Sequence, residues 1–126
     1  MATAKGKFLQ EFNEAFIRGN KEIVLTSVTD DIKWNMVGED EIRGKDEFER
    51  AFQEMPREGK TELNIKTIIT HGITAAVEGT IHTTNDLEEK KVYAFCETYR
   101  FNKFKDGRIK EMTSYIIGMK PEDQTE

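Results

Sequence analysis

Residues 29–55 read TDDIKWNMVGEDEIRGKDEFERAFQEM. The acidic pair Asp30-Asp31 precedes a stretch in which Ile32, Trp34 and Met36 alternate with Lys33, Asn35 and Val37. A repeat of two puts alternate side chains on opposite faces of a strand, so the spacing predicts a half-buried strand over 32–37 with Trp34 facing inward. The turn Arg43-Gly44-Lys45-Asp46 follows, and then Phe48, Ala51, Phe52 and Met55 recur at helical spacing. Asp46 and Glu47 fall near the positive end of that helix, where a negative charge is favoured.

Upstream, Phe8, Leu9, Phe12, Ala15 and Phe16 form a helical stripe, with Lys7, Gln10, Glu11, Asn13 and Glu14 mostly on the other face. Gly19 ends this helix, and Asn20 caps a second short one that runs through Ile23, Val24 and Val28 until Thr29-Asp30-Asp31 stops it. Downstream, from Leu63 to about Ile117, the repeat is two, broken at His71-Gly72, Thr83–Glu89 and Asp106-Gly107. Four strands in an antiparallel meander are expected. Leu63, Ile65, Thr67 and Ile69 are expected on one face of the first. Ala75, Val77, Gly79 and Ile81 share a face of the second, where Gly79 permits a bend or bulge. Tyr93, Phe95, Glu97, Tyr99 and Phe101 line up on the third, and on the fourth Tyr115 alternates with Ser114 and Ile116. A further bulge is placed near Asn102-Lys103. Helices followed by a long sheet define an α+β class.

The chain has 126 residues, which fits one domain over 1–126, with a polar tail over about 120–126. Its net charge of -5 argues against a nucleic-acid partner or an anionic membrane surface, and its lysines and arginines are interspersed with acids. Cys96 is the sole cysteine, so no internal disulfide forms, and a reducing cytoplasm is the simplest location. No segment has the apolar length of a membrane span or the pattern of an export signal. His71 and His82 stand in no metal-ligand spacing, and His82 alternates with Ile81 and so points away from the core. The glycines form no phosphate-binding cluster, so neither a metal nor a nucleotide cofactor is expected. Ser114 and Cys96 lie mid-strand without an evident base and read as packing residues rather than nucleophiles.

Four pieces in order, FNEAFIRGN over 12–20, TDDIKW over 29–34, IRGKD over 42–46 and KDGRI over 105–109, resemble the SnoaL-like, ketosteroid-isomerase-like branch of the nuclear-transport-factor-2-like superfamily. The resemblance implies a cystatin-like cone: a strongly curved sheet wrapped around the helices, with an apolar cavity open at one end and homodimers formed through the sheet. In ketosteroid isomerases the first helix carries a tyrosine where this chain has Phe12, and the first strand carries an aspartate where it has Met36. Phe12 has no hydroxyl to donate and a thioether accepts no proton at neutral pH, so that mechanism is not expected. Limonene-epoxide hydrolases carry a charged trio where Gly79, Ile81 and Ser114 stand, and Lys33 replaces their tyrosine. Only Asn35 fits their asparagine, so that chemistry is not expected either.

The remaining acid is Glu97, on or near the third acidic position of the isomerase pattern. On an apolar concave face its carboxyl would be held partly neutral and able to exchange a proton, with Asn35 or Tyr99 orienting a substrate. A surface ion pair with Arg100 or Lys110 is the structural alternative. The site read from the sequence is therefore Glu97 as the acid, with Trp34, Asn35, Met36, Phe12, Tyr99 and Tyr115 around a small, largely apolar ligand. Two function classes stay open: a proton-shuttling enzyme, and a module that binds a ligand or assembles through its sheet. The missing counterparts of the known acid/base sets favour the second class, because proton shuttling needs a second polar group and only Asn35 and the tyrosine hydroxyls could serve.

Overall fold

A computed structural model describes residues 3–57 and 59–120; the polar tail over 121–126 lies outside them. Three helices, α1 (Ala4–Arg18), α2 (Lys21–Thr26) and α3 (Lys45–Glu54), accompany six strands: β1 (Val28–Met36), β2 (Glu41–Arg43), β3 (Lys60–His71), β4 (Thr74–Thr84), β5 (Lys90–Phe101) and β6 (Ile109–Gly118). The strands form one curved sheet in the order β2-β1-β6-β5-β4-β3. β3 to β6 are the antiparallel meander expected from the repeat of two, while β1 joins the far side of β6 in parallel. The helices cover the concave face, and the core between the layers holds Leu9, Phe12, Val24, Trp34, Phe48, Phe52, Phe95, Tyr99, Phe101 and Met112.

Local chemistry sets the element ends. Thr3 caps α1 five residues before Phe8, where the aromatic stripe starts, its hydroxyl accepting from the Gly6 N–H at 2.9 Å. Gly19 ends the helix at φ 77°, a left-handed conformation that glycine adopts without steric cost, as the sequence indicates. Asn20 caps α2 through its side-chain oxygen. Thr29-Asp30-Asp31 does not terminate that helix, however. Ser27 closes it, and the strand already starts at Val28, whose buried side chain pairs with Ile109. The acidic pair lies on an exposed, irregular part of β1 before its ladder with β6 resumes at Lys33. Residues 41–43, of which the sequence places only Arg43, in a turn, add the edge strand β2 opposite Lys33–Asn35.

Two bulges set the faces. Opposite Gly79 the ladder slips between Ile65 and Thr67, so Lys66 is the extra residue of β3. A Cβ on Gly79 would stand 2.2 Å from the Asn64 carbonyl oxygen, which is why the glycine foreseen as a bulge site is required there. The slip corrects the β3 assignment: Ile68, opposite Val77, joins the core, while Ile69 is exposed and Thr67 meets Glu78. The second bulge falls at Lys110 of β6, opposite Arg100 and Phe101, and not at Asn102-Lys103. It brings Ile109 into the core together with Met112 and Ser114.

Candidate ligand cavity and buried carboxylate network

Strand pairing stacks the inward side chains of the meander in rungs. Thr61, Thr83 and Lys91 form the first; Leu63, Ile81 and Tyr93 form the next; Ile65, Gly79, Phe95 and Ile116 the third; Val77, Glu97 and Ser114 the fourth. Between the upper rungs and the helices lies a cavity of about 490 Å³, bounded by Phe16 and Ile17 of α1, by Met55, Pro56 and Arg57, and by Ile81, Tyr93 and Ile116 of the sheet. Its volume falls within the range of small-molecule sites, and most of its wall is apolar.

Glu97 lies one rung below Phe95 and Ile116, within a closed hydrogen-bond network. Its Oε1 accepts from the Tyr99 hydroxyl and its Oε2 from the Ser114 hydroxyl, both at 2.6 Å. Behind them, the Asn13 amide donates to the Tyr99 hydroxyl at 3.0 Å and to the Leu9 carbonyl at 2.8 Å, and the Trp34 indole N–H donates to Ser114 Oγ at 2.9 Å. Asn13, Ser114, Trp34 and Tyr99 are all buried; Glu97 keeps part of its surface open. Burial raises the Glu97 carboxyl above its ordinary range, with the Ser114 and Tyr99 hydroxyls opposing the shift. Burial and the neighbouring Glu97 charge push the Tyr99 phenol well above 10.

This arrangement constrains the chemistry open to Glu97. An ionised carboxylate has further lone pairs beyond the two hydroxyl bonds, so it retains the capacity to accept a proton. Both nearby hydroxyls are spent on Glu97, and neither is available to donate to charge developing on a substrate. Glu97 also takes no cation as a partner among the described residues: Arg100 is exposed on the outer face, and Lys110 reaches Asp31 at 3.9 Å.

The residues singled out from the sequence separate accordingly. The structure gathers Trp34, Tyr99 and Glu97 into one network, with Phe12 edge-on to the Tyr99 ring at 6.3 Å and Met36 packed on the core beside Ser114. None of these seven residues lines the cavity described above; Asn35 and Tyr115 are exposed on the outer face, because each alternates with an inward neighbour, Trp34 or Ser114. Asn13, assigned to the solvent face of α1 by its polarity, is 7% exposed and anchors Tyr99. Ser114, read as simple packing, links Trp34 to Glu97; the signal that could have shown it is the register that sets it opposite Glu97.

Arg57 is the other residue the sequence did not reveal. Its Nη1 donates to the carbonyls of Phe52 at 3.0 Å and Met55 at 3.3 Å, and its Nη2 to the Phe16 carbonyl at 3.1 Å. The guanidinium also lies 4.2 Å from the Phe52 ring centroid, a cation–π contact. It thus ties the ends of α1 and α3 together at the rim of the cavity.

Comparison with known proteins agrees with this architecture. The family model of the SnoaL-like domain matches residues 9–112. No curated protein sequence matches the chain significantly. Among solved structures, an NTF2-like protein of unknown function from Cytophaga hutchinsonii superimposes with a TM-score of 0.71 at 23% identity, covering 88% of this chain and 97% of its own. An LEH-like epoxide hydrolase from Mycobacterium tuberculosis superimposes at 0.72 with 21% identity, over 87% and 80% of the two chains. Rv0760c from the same organism, solved in complex with estradiol-17beta-hemisuccinate, superimposes at 0.69 with 18% identity, over 86% and 89%. At these identities the superpositions speak for the fold alone, and it is the family match across most of the sequence that makes this chain a member of the SnoaL-like domain family with an NTF2-like α+β fold.

Proposed function

We propose that this protein binds a small, largely apolar molecule in the cavity between its sheet and helices, without the proton chemistry of the ketosteroid isomerases or the limonene-epoxide hydrolases. The observation that carries this reading is the apolar cavity of about 490 Å³, walled by Phe16, Ile17, Ile81, Tyr93 and Ile116. A solved neighbour of the same fold in complex with estradiol-17beta-hemisuccinate supports a ligand of this kind. Phe12 and Met36 stand where the isomerases have a donor and a base, and the hydroxyls beside Glu97 are spent on it. A neutral apolar probe, N-phenyl-1-naphthylamine, tests the proposal by fluorescence. Ile116→Trp, at a site 46% exposed and therefore tolerant of bulk, should fill the cavity and weaken binding at least about tenfold, while Glu97→Gln should leave it within a factor of about two. No binding to the native protein, or binding indifferent to Ile116→Trp, would overturn it.

The enzymatic alternative rests on Glu97, whose raised carboxyl and remaining lone pairs suit proton exchange. It requires a substrate whose turnover Glu97→Gln abolishes while its binding persists. For assembly, the exposed side chains of Ile69, Tyr115 and Ile117 on the outward sheet face fit a second copy of the chain, and a homodimer through that face is the proposed quaternary state. Among the described residues no helix is long and apolar enough to cross a membrane.

A further inference from the structure

The cavity rim carries charge that an apolar ligand alone would not use. Arg57 and Lys91 border it together with one acid, Glu89. Glu89 is engaged elsewhere: its Oε1 accepts from the Asn85 amide at 2.9 Å, and its backbone N–H donates to Asn85 Oδ1 at 2.9 Å, closing the β4–β5 loop on itself. Neither Arg57 nor Lys91 has a carboxylate within ion-pair distance among the described residues. Of the five guanidinium hydrogens of Arg57, three are used on the Phe52, Met55 and Phe16 carbonyls. The Nε–H and one Nη2 hydrogen have no acceptor among the described residues.

A cation fixed at the edge of an apolar cavity, with its orientation already set by three carbonyls and no carboxylate paired with it among the described residues, is pre-organised for an anion. The three carbonyl bonds remove the rotamer freedom that a free surface arginine would lose on binding. A structural role alone, tying α1 to α3, explains those three bonds. It does not explain why the tie is made by a cation that lines the cavity wall rather than by a neutral donor.

We infer that the ligand of this cavity is amphipathic: an apolar body against Phe16, Ile81, Tyr93 and Ile116, and a singly charged oxyanion head, such as a carboxylate or sulfonate, held at the rim by Arg57. This deepens the binding function proposed above and rests on it. Lys91, on an exposed stretch of β5, adds long-range attraction but is not fixed by comparable bonds.

The test uses two probes with the same aryl frame, 8-anilinonaphthalene-1-sulfonate and the neutral N-phenyl-1-naphthylamine. The native protein should bind the sulfonate at least about tenfold more tightly at low ionic strength, a preference that falls as salt is added. Arg57→Gln should erase that preference while keeping the neutral probe, and Lys91→Gln should reduce it only slightly. Because Arg57→Gln removes three helix-end bonds and can compromise folding, the native protein is also titrated by ¹⁵N NMR. The Arg57 Nε–H resonance should move with the sulfonate and stay in place with the neutral probe. Equal affinity for the two probes, a preference that survives Arg57→Gln, or a stationary Nε–H would overturn the anion site and leave the apolar cavity standing. Failure of both probes to bind would instead overturn the cavity reading itself.

Discussion

Replacing Ser114 by alanine removes one oxygen atom that serves two buried groups, and the cost should depend on pH. In the native protein Ser114 Oγ accepts from the Trp34 indole and donates to Glu97 Oε2. The alanine variant leaves the indole N–H without an acceptor at any pH, a loss of about 1–3 kcal/mol for a buried donor. When Glu97 is ionised the variant also loses a hydroxyl bond to a charged acceptor, worth about 1.5–3 kcal/mol. The sign follows from the direction of the carboxyl shift. Because burial raises Glu97 above its unfolded value of 4.5, the folded state binds the proton more tightly than the unfolded chain. The associated stability is present below that value and is lost as pH rises through the folded one. Ser114 opposes the raise, so its removal moves the folded value further up and deepens the loss at neutral pH. Urea unfolding followed by far-UV circular dichroism should therefore show a destabilisation of about 2 kcal/mol at pH 4, growing to about 4 kcal/mol by pH 8. A difference that stays flat across that range, or one below about 0.5 kcal/mol throughout, would refute the network as the description of Glu97.

Gly79→Ala should cost about 3 kcal/mol or more, read from the same unfolding curves, since the new Cβ would meet the Asn64 carbonyl oxygen at 2.2 Å and the β3 bulge has no room to yield. A near-neutral result would show that the bulge tolerates a side chain. For assembly, the native protein should sediment as a dimer, and the double variant Tyr115→Lys/Ile117→Lys as a monomer with unchanged circular dichroism, because it places like charges on the outward sheet face. A native monomer, or a dimer indifferent to those charges, would discard that face as the interface.

Much of this fold was legible in the residues because the physics that shapes it is local. Trp34 and Met36 face inward by simple alternation, Glu97 and Tyr99 share a face for the same reason, and Gly19 and Asn20 mark a helix end and a helix start without reference to anything distant. What escaped depended on register. A single extra residue at Lys66 exchanges the faces of Ile68 and Ile69, and alternation read along one strand cannot register an insertion whose cause is Gly79 on another. Asn13 looks like any polar residue on an amphipathic helix until Tyr99, 86 positions later, supplies its partner. Ser114 gains its role only once β6 lies opposite β5. Arg57 had no pattern to belong to, since its acceptors are the helix-end carbonyls of two separate elements.

The parallel pairing of β1 with β6 also bears on how the chain matures. Among the described residues, β1 neighbours only the three-residue β2 and the strand β6 in the sheet. During synthesis the stretch around Trp34 must therefore wait for about 80 further residues before its indole finds an acceptor. Until then a strand edge and an aromatic surface stay open to other chains, the condition under which long-range sheets fold slowly and misassociate. Strand β6 thus closes the exposed edge of β1, and a nascent chain halted before Ile109 would leave that edge unpaired.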